Sequence, residues 1–173
     1  MIRKACEKDI SAVARIYEDI HTMEEKGLLT TGWLRGIYPV RETAEKAVLN
    51  GELYVLEEDG EILASARINR HQEPEYDHVE WQNAADDTEV LVMHTLVVSP
   101  GASGKGYGKA FAAYYENMAR EMGMKVLRID TNARNSRARK LYAGLGYREA
   151  GIVPTTFNGI PGVNLVCLEK PVK

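Results

Sequence analysis

The chain has 173 residues, 45% of them hydrophobic and 27% charged, which predicts a single soluble domain, residues 1–173, with one sizeable core. Lys and Arg number 22 against 25 Asp and Glu, and a formal charge of -3 argues against non-specific nucleic-acid binding. No apolar stretch of membrane-spanning length is present, and Met1-Ile2-Arg3-Lys4 leads straight into structured sequence, so neither a membrane anchor nor a signal peptide is expected.

From the N-terminus, Ile10, Val13, Ala14, Tyr17 and Ile20 form a helical stripe, with Asp9 as N-cap. Gly27 to Val40 is irregular and rich in Gly and aromatic residues. A second helix is predicted from Arg41 to Leu49, stopping at Asn50-Gly51. Leu53–Glu57 and Glu61–Ile68 read as strands joined by the turn Glu58-Asp59-Gly60. A polar stretch, Asn69 to Asp87, precedes a long apolar strand, Val90–Val98. Phe111, Tyr114, Tyr115, Met118 and Met122 share a helical face ended by Gly123, and Val126–Thr131 is another strand. A helix over Ser136–Leu145, capped by Ser136 and Gly146, and short strands near Glu149–Val153 and Asn164–Glu169 complete the chain. Phe157 to Val163 reads as a turn entering the last strand. This order predicts a mixed α/β (α+β) fold with local hairpins rather than a regularly alternating one.

The stretch most informative about chemistry is V-V-S-P-G-A-S-G-K-G-Y-G-K-A, Val97 to Ala110. Gly104, Gly106 and Gly108 alternate with Lys105, Tyr107 and Lys109 between a strand and a helix, where bare amides and a helix N-terminus suit a phosphate. A nucleotide P-loop needs Ser or Thr after Gly-Lys, but Gly106 and Ala110 stand there. A dinucleotide loop needs a third glycine where Lys109 stands. Asp130 lies near the expected acidic position, which weakens that reading without excluding it.

A second motif follows the strand ending at Thr131: N-A-R-N-S-R-A-R-K-L-Y-A-G-L-G-Y, residues 132–147. With V-S-P-G-A-S-G-K-G-Y-G-K before it, the chain from Val90 to Tyr147 closely resembles the GNAT N-acetyltransferase superfamily. The resemblance implies a mostly antiparallel sheet splayed between two parallel strands, with helices on both faces. It also implies acetyl-CoA as co-substrate; separately, no metal is expected. The pantetheine arm would pair with Leu96, Val97 and Val98, and the pyrophosphate would sit on the amides of Ser103, Gly104, Lys105, Gly106, Tyr107, Gly108 and Lys109. Asn135 would contact the cofactor arm, and Tyr142 would lie near the thioester sulfur. Ser103 stands where the family pattern has Arg or Gln; Lys105, Lys109, Arg134, Arg137 and Arg139 are candidates to supplement the missing charge.

Acetyl transfer to an amine needs a neutral amine, a polarised carbonyl and a proton for the departing thiolate. With an amine pKa near 10.4, only roughly one molecule in a few thousand is neutral at pH 7. His94 interrupts the strand V-L-V-M-H-T-L-V-V, and strict alternation places it on the face of Leu96 and Val98. An imidazole suits proton transfer near neutral pH, and H-T-L-V-V resembles the arylalkylamine branch of the superfamily. Glu80, Glu89 and a water chain are alternatives. Trp33, Arg35, Tyr38, Tyr76 and Trp81 are candidates to line the acceptor pocket, with Trp33, Tyr38 and Trp81 foremost.

His21, His71 and His78 lack metal-ligand spacing. Cys6 and Cys167 lie outside the cofactor motifs, consistent with a reducing cytoplasm and with direct transfer in a ternary complex. The expected acceptor is a small-molecule or protein amine, with no membrane or nucleic-acid partner and a homodimer as an option. A non-catalytic acyl-CoA sensor on the same fold is the alternative, and a nucleotide-dependent oxidoreductase is disfavoured by Lys109 and the hairpins.

Overall fold

A computed structural model describes all residues, Met1–Lys173. Seven strands form one sheet in the order β1-β2-β3-β4-β5-β7-β6. They are β1 (Ile2–Lys4), β2 (Leu53–Glu58), β3 (Glu61–Asn69), β4 (Val90–Val98), β5 (Val126–Asn132), β6 (Arg148–Phe157) and β7 (Ile160–Pro171). Four helices accompany them: α1 (Ile10–Glu25), α2 (Arg41–Leu49), α3 (Tyr107–Glu121) and α4 (Ser136–Gly144). Every neighbouring pair is antiparallel except β4 and β5, which are parallel. No helix is long and apolar enough to cross a membrane.

Amphipathic patterning decides which face each helix covers. Phe111 and Tyr115 of α3 and Tyr142 of α4 pack on Leu91, Met93, Leu127 and Ile129 of the sheet. Val13, Ile16, Tyr17 and Ile20 of α1, with Ala44 and Ala47 of α2, pack on Leu53, Val55 and Val97 of the other face. Farther along that face, Tyr76 joins Val90, Val92, Val126, Leu165 and Cys167.

β4 and β5 pair only from Val90 opposite Val126 to Met93 opposite Ile129, and beyond that point they part. The cause lies in β4. Arg67 faces His94 and Ser65 faces Val97, so Ala66 alone opposes both Thr95 and Leu96. This is a β-bulge, and Thr95 carries it with a left-handed φ of 52°, unusual for a β-branched residue. The extra residue resets the alternation: Met93 before the bulge and Leu96 and Val98 after it all pack on the α3 face. His94 therefore lies on the opposite face to Leu96 and Val98, contrary to the simple count from sequence.

Several local expectations also change. The β1 strand is added at the N-terminal edge, paired with β2. Asp9 precedes α1, but its carboxylate accepts from Arg3 and the Cys6 amide instead of capping the helix. Asn135, not Ser136, caps α4, its Oδ1 accepting from the Ala138 N–H at 3.1 Å. Met122 lies past the end of α3 and is largely exposed. The last two strands are a long hairpin turning on Asn158-Gly159, both at positive φ as a type I′ turn requires.

Candidate active site

Where β4 and β5 part, a cavity of about 540 Å³ passes between them and is lined from both faces of the sheet. On the α3 side it meets the glycine loop. The first helical bond runs from the Ala110 N–H to the Gly106 carbonyl, 3.0 Å, so the N–H groups of Tyr107, Gly108 and Lys109 have no acceptor within the helix. Gly104 and Gly106, with φ of 83° and 87°, turn the chain so that these amides look into the cavity. The helix dipole adds partial positive charge at the same place.

Leu96, Val97, Val98, Ser103, Gly104, Gly106, Tyr107, Gly108, Lys109, Asn135 and Tyr142 all line this cavity, whereas Lys105 does not. Of the cations considered, Arg137 and Lys109 line it; Arg139 is engaged with Glu149, and Arg134 lies outside. Arg137 reaches from α4 across the cavity mouth to the Ser103 hydroxyl, placing a guanidinium over the loop position that lacks one. The Asn135 Oδ1 is committed to its cap, which leaves the amide NH2 for a ligand.

Tyr142 is buried against Tyr147, ring centroids 5.7 Å apart. Burial, aided by the Asp130 charge, raises its phenol above the ordinary value. Its hydroxyl makes no hydrogen bond within the protein, unlike those of Tyr38, Tyr76, Tyr107, Tyr115 and Tyr147. Nor is it sealed from solvent, so it remains an unspent donor facing the cavity.

On the other face the cavity is walled by Trp33, Tyr38, Arg67, Glu73, His94 and Asp130, with Phe157 and Ile160 from the hairpin. Trp33 and Tyr38 pack edge to face, and the Tyr38 hydroxyl is hydrogen-bonded to Thr95 at the bulge. The loop before Trp33 is pinned by Glu24, whose carboxylate accepts from the Thr31 N–H (2.8 Å), the Thr31 hydroxyl (2.9 Å) and the Gly32 N–H (3.0 Å). His94 lies between Glu73 (Nδ1 to Oε1, 3.3 Å) and Asn69 (Nε2 to Oδ1, 2.9 Å). Burial opposes ionisation of Glu73, but the His94 hydrogen bond and the charges of His94, His71 and Arg67 outweigh it and hold the carboxyl below its usual range. Asp130, half-buried and accepting from the Tyr76 hydroxyl at 2.7 Å, is pushed up to about 6, mainly by desolvation.

Other predicted residues lie elsewhere. Trp81 is a packing residue: its indole N–H donates to the Tyr76 carbonyl and the Arg128 guanidinium stacks on it at 3.9 Å. Tyr76 is wholly buried behind Asp130, and Arg35 is a surface residue paired with Glu18 and Glu25. Glu89 is paired with Lys125 before β4, and exposed Glu80 lies outside the cavity, so neither is placed to serve as base. Glu73 escaped sequence reading because a loop approach, which leaves no spacing signature, brings it to the site, and Asp130 was noticed only as a possible acidic partner of a dinucleotide loop.

Comparison with known proteins agrees with this geometry. The family model described as Acetyltransferase (GNAT) family matches residues 13–147. The chain is 42% identical over 50 residues to the uncharacterized N-acetyltransferase YycN of Bacillus subtilis (strain 168), a match spanning 29% of this chain and 32% of that protein. A GNAT-family acetyltransferase from Streptococcus agalactiae 2603 superposes with a TM-score of 0.82 at 24% identity, covering 100% of this chain and 95% of that one. The protein yncA of Salmonella typhimurium, solved with its cofactor acetyl-CoA, superposes with a TM-score of 0.69 at 18% identity, covering 100% of this chain and 94% of that one. Taken with the parted parallel strands and the amide-rich turn before α3, the family match establishes that the chain belongs to the GNAT family of acetyltransferases.

Proposed function

We propose that the protein transfers the acetyl group of acetyl-CoA directly to a primary amine of a small molecule or protein. The observation that carries this reading is the single cavity running from the N-terminal amides of α3, between β4 and β5, to the His94 face. The pyrophosphate sits on the amides of the glycine loop, with Arg137 beside it. The pantetheine arm lies along Leu96–Val98, whose edge toward β5 has no strand partner. The amine approaches from the Trp33 and Tyr38 side, so donor and acceptor meet where the strands part.

Tyr142 delivers a proton to the departing thiolate, and His94 takes part in removing the proton of the amine. No thiol lines the cavity, and burial pushes Cys167 up to about 12, which argues for direct transfer over an acetyl-cysteine intermediate. Calorimetric titration with acetyl-CoA, with NADH and ATP in parallel after removal of co-purified ligand, tests the cofactor assignment. Micromolar acetyl-CoA binding alone supports it; silence removes it. An amine screen then separates an enzyme from a sensor that binds acyl-CoA without turnover.

A further inference from the structure

Asn69, the last residue of β3, settles how the His94 ring is protonated. Its Nδ2 donates to Glu52 Oε2 at 2.9 Å, and its Oδ1 accepts from the backbone N–H of His71 at 3.0 Å. A carboxylate accepts and a backbone N–H donates, so both contacts forbid turning the amide over. The same Oδ1 lies 2.9 Å from His94 Nε2, which must therefore carry hydrogen.

Nδ1 is then the nitrogen whose proton is exchangeable, and it faces Glu73 Oε1 at 3.3 Å. Without a proton between them, two acceptors confront one another, so the pair has a strong demand for one proton. Both side chains line the cavity, and the carboxylate is the more accessible of the two, 16% exposed against 5% for His94.

We propose that Glu73 is the general base of the transfer, backed by His94 in its Nε2–H form, with Asn69 as the positioning residue that fixes that form. This rests on the acetyl-transfer reading above. One proton of the bound ammonium passes to the Glu73 carboxylate and comes to lie between it and His94 Nδ1. The neutral amine forms the N–C bond while the C–S bond breaks with its electron pair on sulfur. The second N–H proton balances the thiolate through the Tyr142 hydroxyl, and the protonated pair then releases its proton to water. Arg67 at 3.6 Å and His71 at 4.0 Å from the Glu73 carboxylate, half-buried Asp130, Glu75 and the phenols of Tyr38 and Tyr76 are charged and titratable groups around the pair.

The test uses the full chain with 15N-labelled histidine rings, followed by NMR against pH. The expected result is a His94 ring that keeps hydrogen on Nε2 throughout, with the proton lost on raising pH leaving Nδ1. Glu73→Gln removes a neighbouring negative charge, so that loss moves to lower pH. Acetyl-CoA affinity stays within about twofold, because the pair faces the acceptor side. With whichever of phenethylamine, spermidine or an alanyl peptide is turned over best, Glu73→Gln lowers kcat/KM by at least about tenfold and moves its acid limb by the same shift. Asn69→Ala lowers kcat and releases the ring to the other tautomer.

A neutral His94 carrying hydrogen on Nδ1 overturns the proposal. So does a Glu73→Gln enzyme with the wild-type rate and acid limb. Wild-type protein that fails to bind acetyl-CoA overturns the function itself together with the catalytic half, and the nitrogen shifts still decide the tautomer.

Discussion

Gly106→Ala separates the fold from the cofactor. Gly106 has a φ of 87°, and a β-carbon built there meets no atom within 4 Å. The variant therefore meets no steric clash and loses only the backbone preference, roughly 1–2 kcal/mol for an L-residue in the left-handed region. For a chain of 173 residues that is a melting-temperature drop of roughly 2–8 °C. Binding suffers more, because the added methyl projects from a cavity-lining residue that precedes the free amides of Tyr107, Gly108 and Lys109. Displacing a phosphate oxygen from one such amide costs about 1.5–3 kcal/mol, a roughly 10- to 100-fold rise in Kd. Calorimetric titration with acetyl-CoA beside a thermal melt reads both quantities. A folded variant with wild-type affinity would show that the pyrophosphate does not sit on this loop. A variant that unfolds at assay temperature would refute the strain estimate instead.

Tyr142→Phe is expected to lower kcat by about 100-fold with little change in acetyl-CoA Kd, since the hydroxyl is the only atom lost and it has no partner in the protein; equal turnover would reduce Tyr142 to packing. Arg137→Ala should raise acetyl-CoA Kd about 5- to 20-fold and flatten its salt dependence, because the guanidinium over Ser103 has no carboxylate partner; an unchanged salt slope would assign the charge elsewhere. Glu24→Ala leaves three donors of the acceptor wall unpaired and should raise the KM of the amine about tenfold while sparing acetyl-CoA affinity, a split that steady-state kinetics resolves. Asp130 holds its proton more tightly folded, at about 6, than at the usual 3.8, so its contribution is fully present below pH 4 and is lost as pH rises through 6. That difference amounts to about 3 kcal/mol, and denaturant titrations of Asp130→Asn should lack it.

The donor half of the site was legible because it is local. A strand, glycines at alternate positions and a helix start are contiguous in sequence, and the Asn135-to-Tyr142 spacing is set within one helix. The acceptor half depends on segments distant in sequence. Glu73 reaches His94 only because the segment after β3 folds back over the sheet, helped by Glu169, whose buried carboxylate accepts from the Gln82 and Asn83 amides. Trp81 looked like a pocket residue because an aromatic side chain reads the same whether it lines a cavity or supports a neighbour. Phe157 to Val163 reads as one turn entering the last strand, whereas Asn158 and Gly159 alone make the turn and the residues on both sides of them pair.

The bulge at Thr95 bears on how this protein tolerates change. The two ends of β4 obey opposite parity rules, and the switch between them is stored in the number of residues rather than in any side chain. Saturation mutagenesis would pass over it, since a replacement always preserves the count. Deleting one residue anywhere from His94 to Leu96 would instead turn part of the strand over, exchanging the residues that face α3 with those that face α1. Within this short stretch, length is inherited information, and lineages that vary β4 are expected to exchange residues far more readily than they gain or lose one.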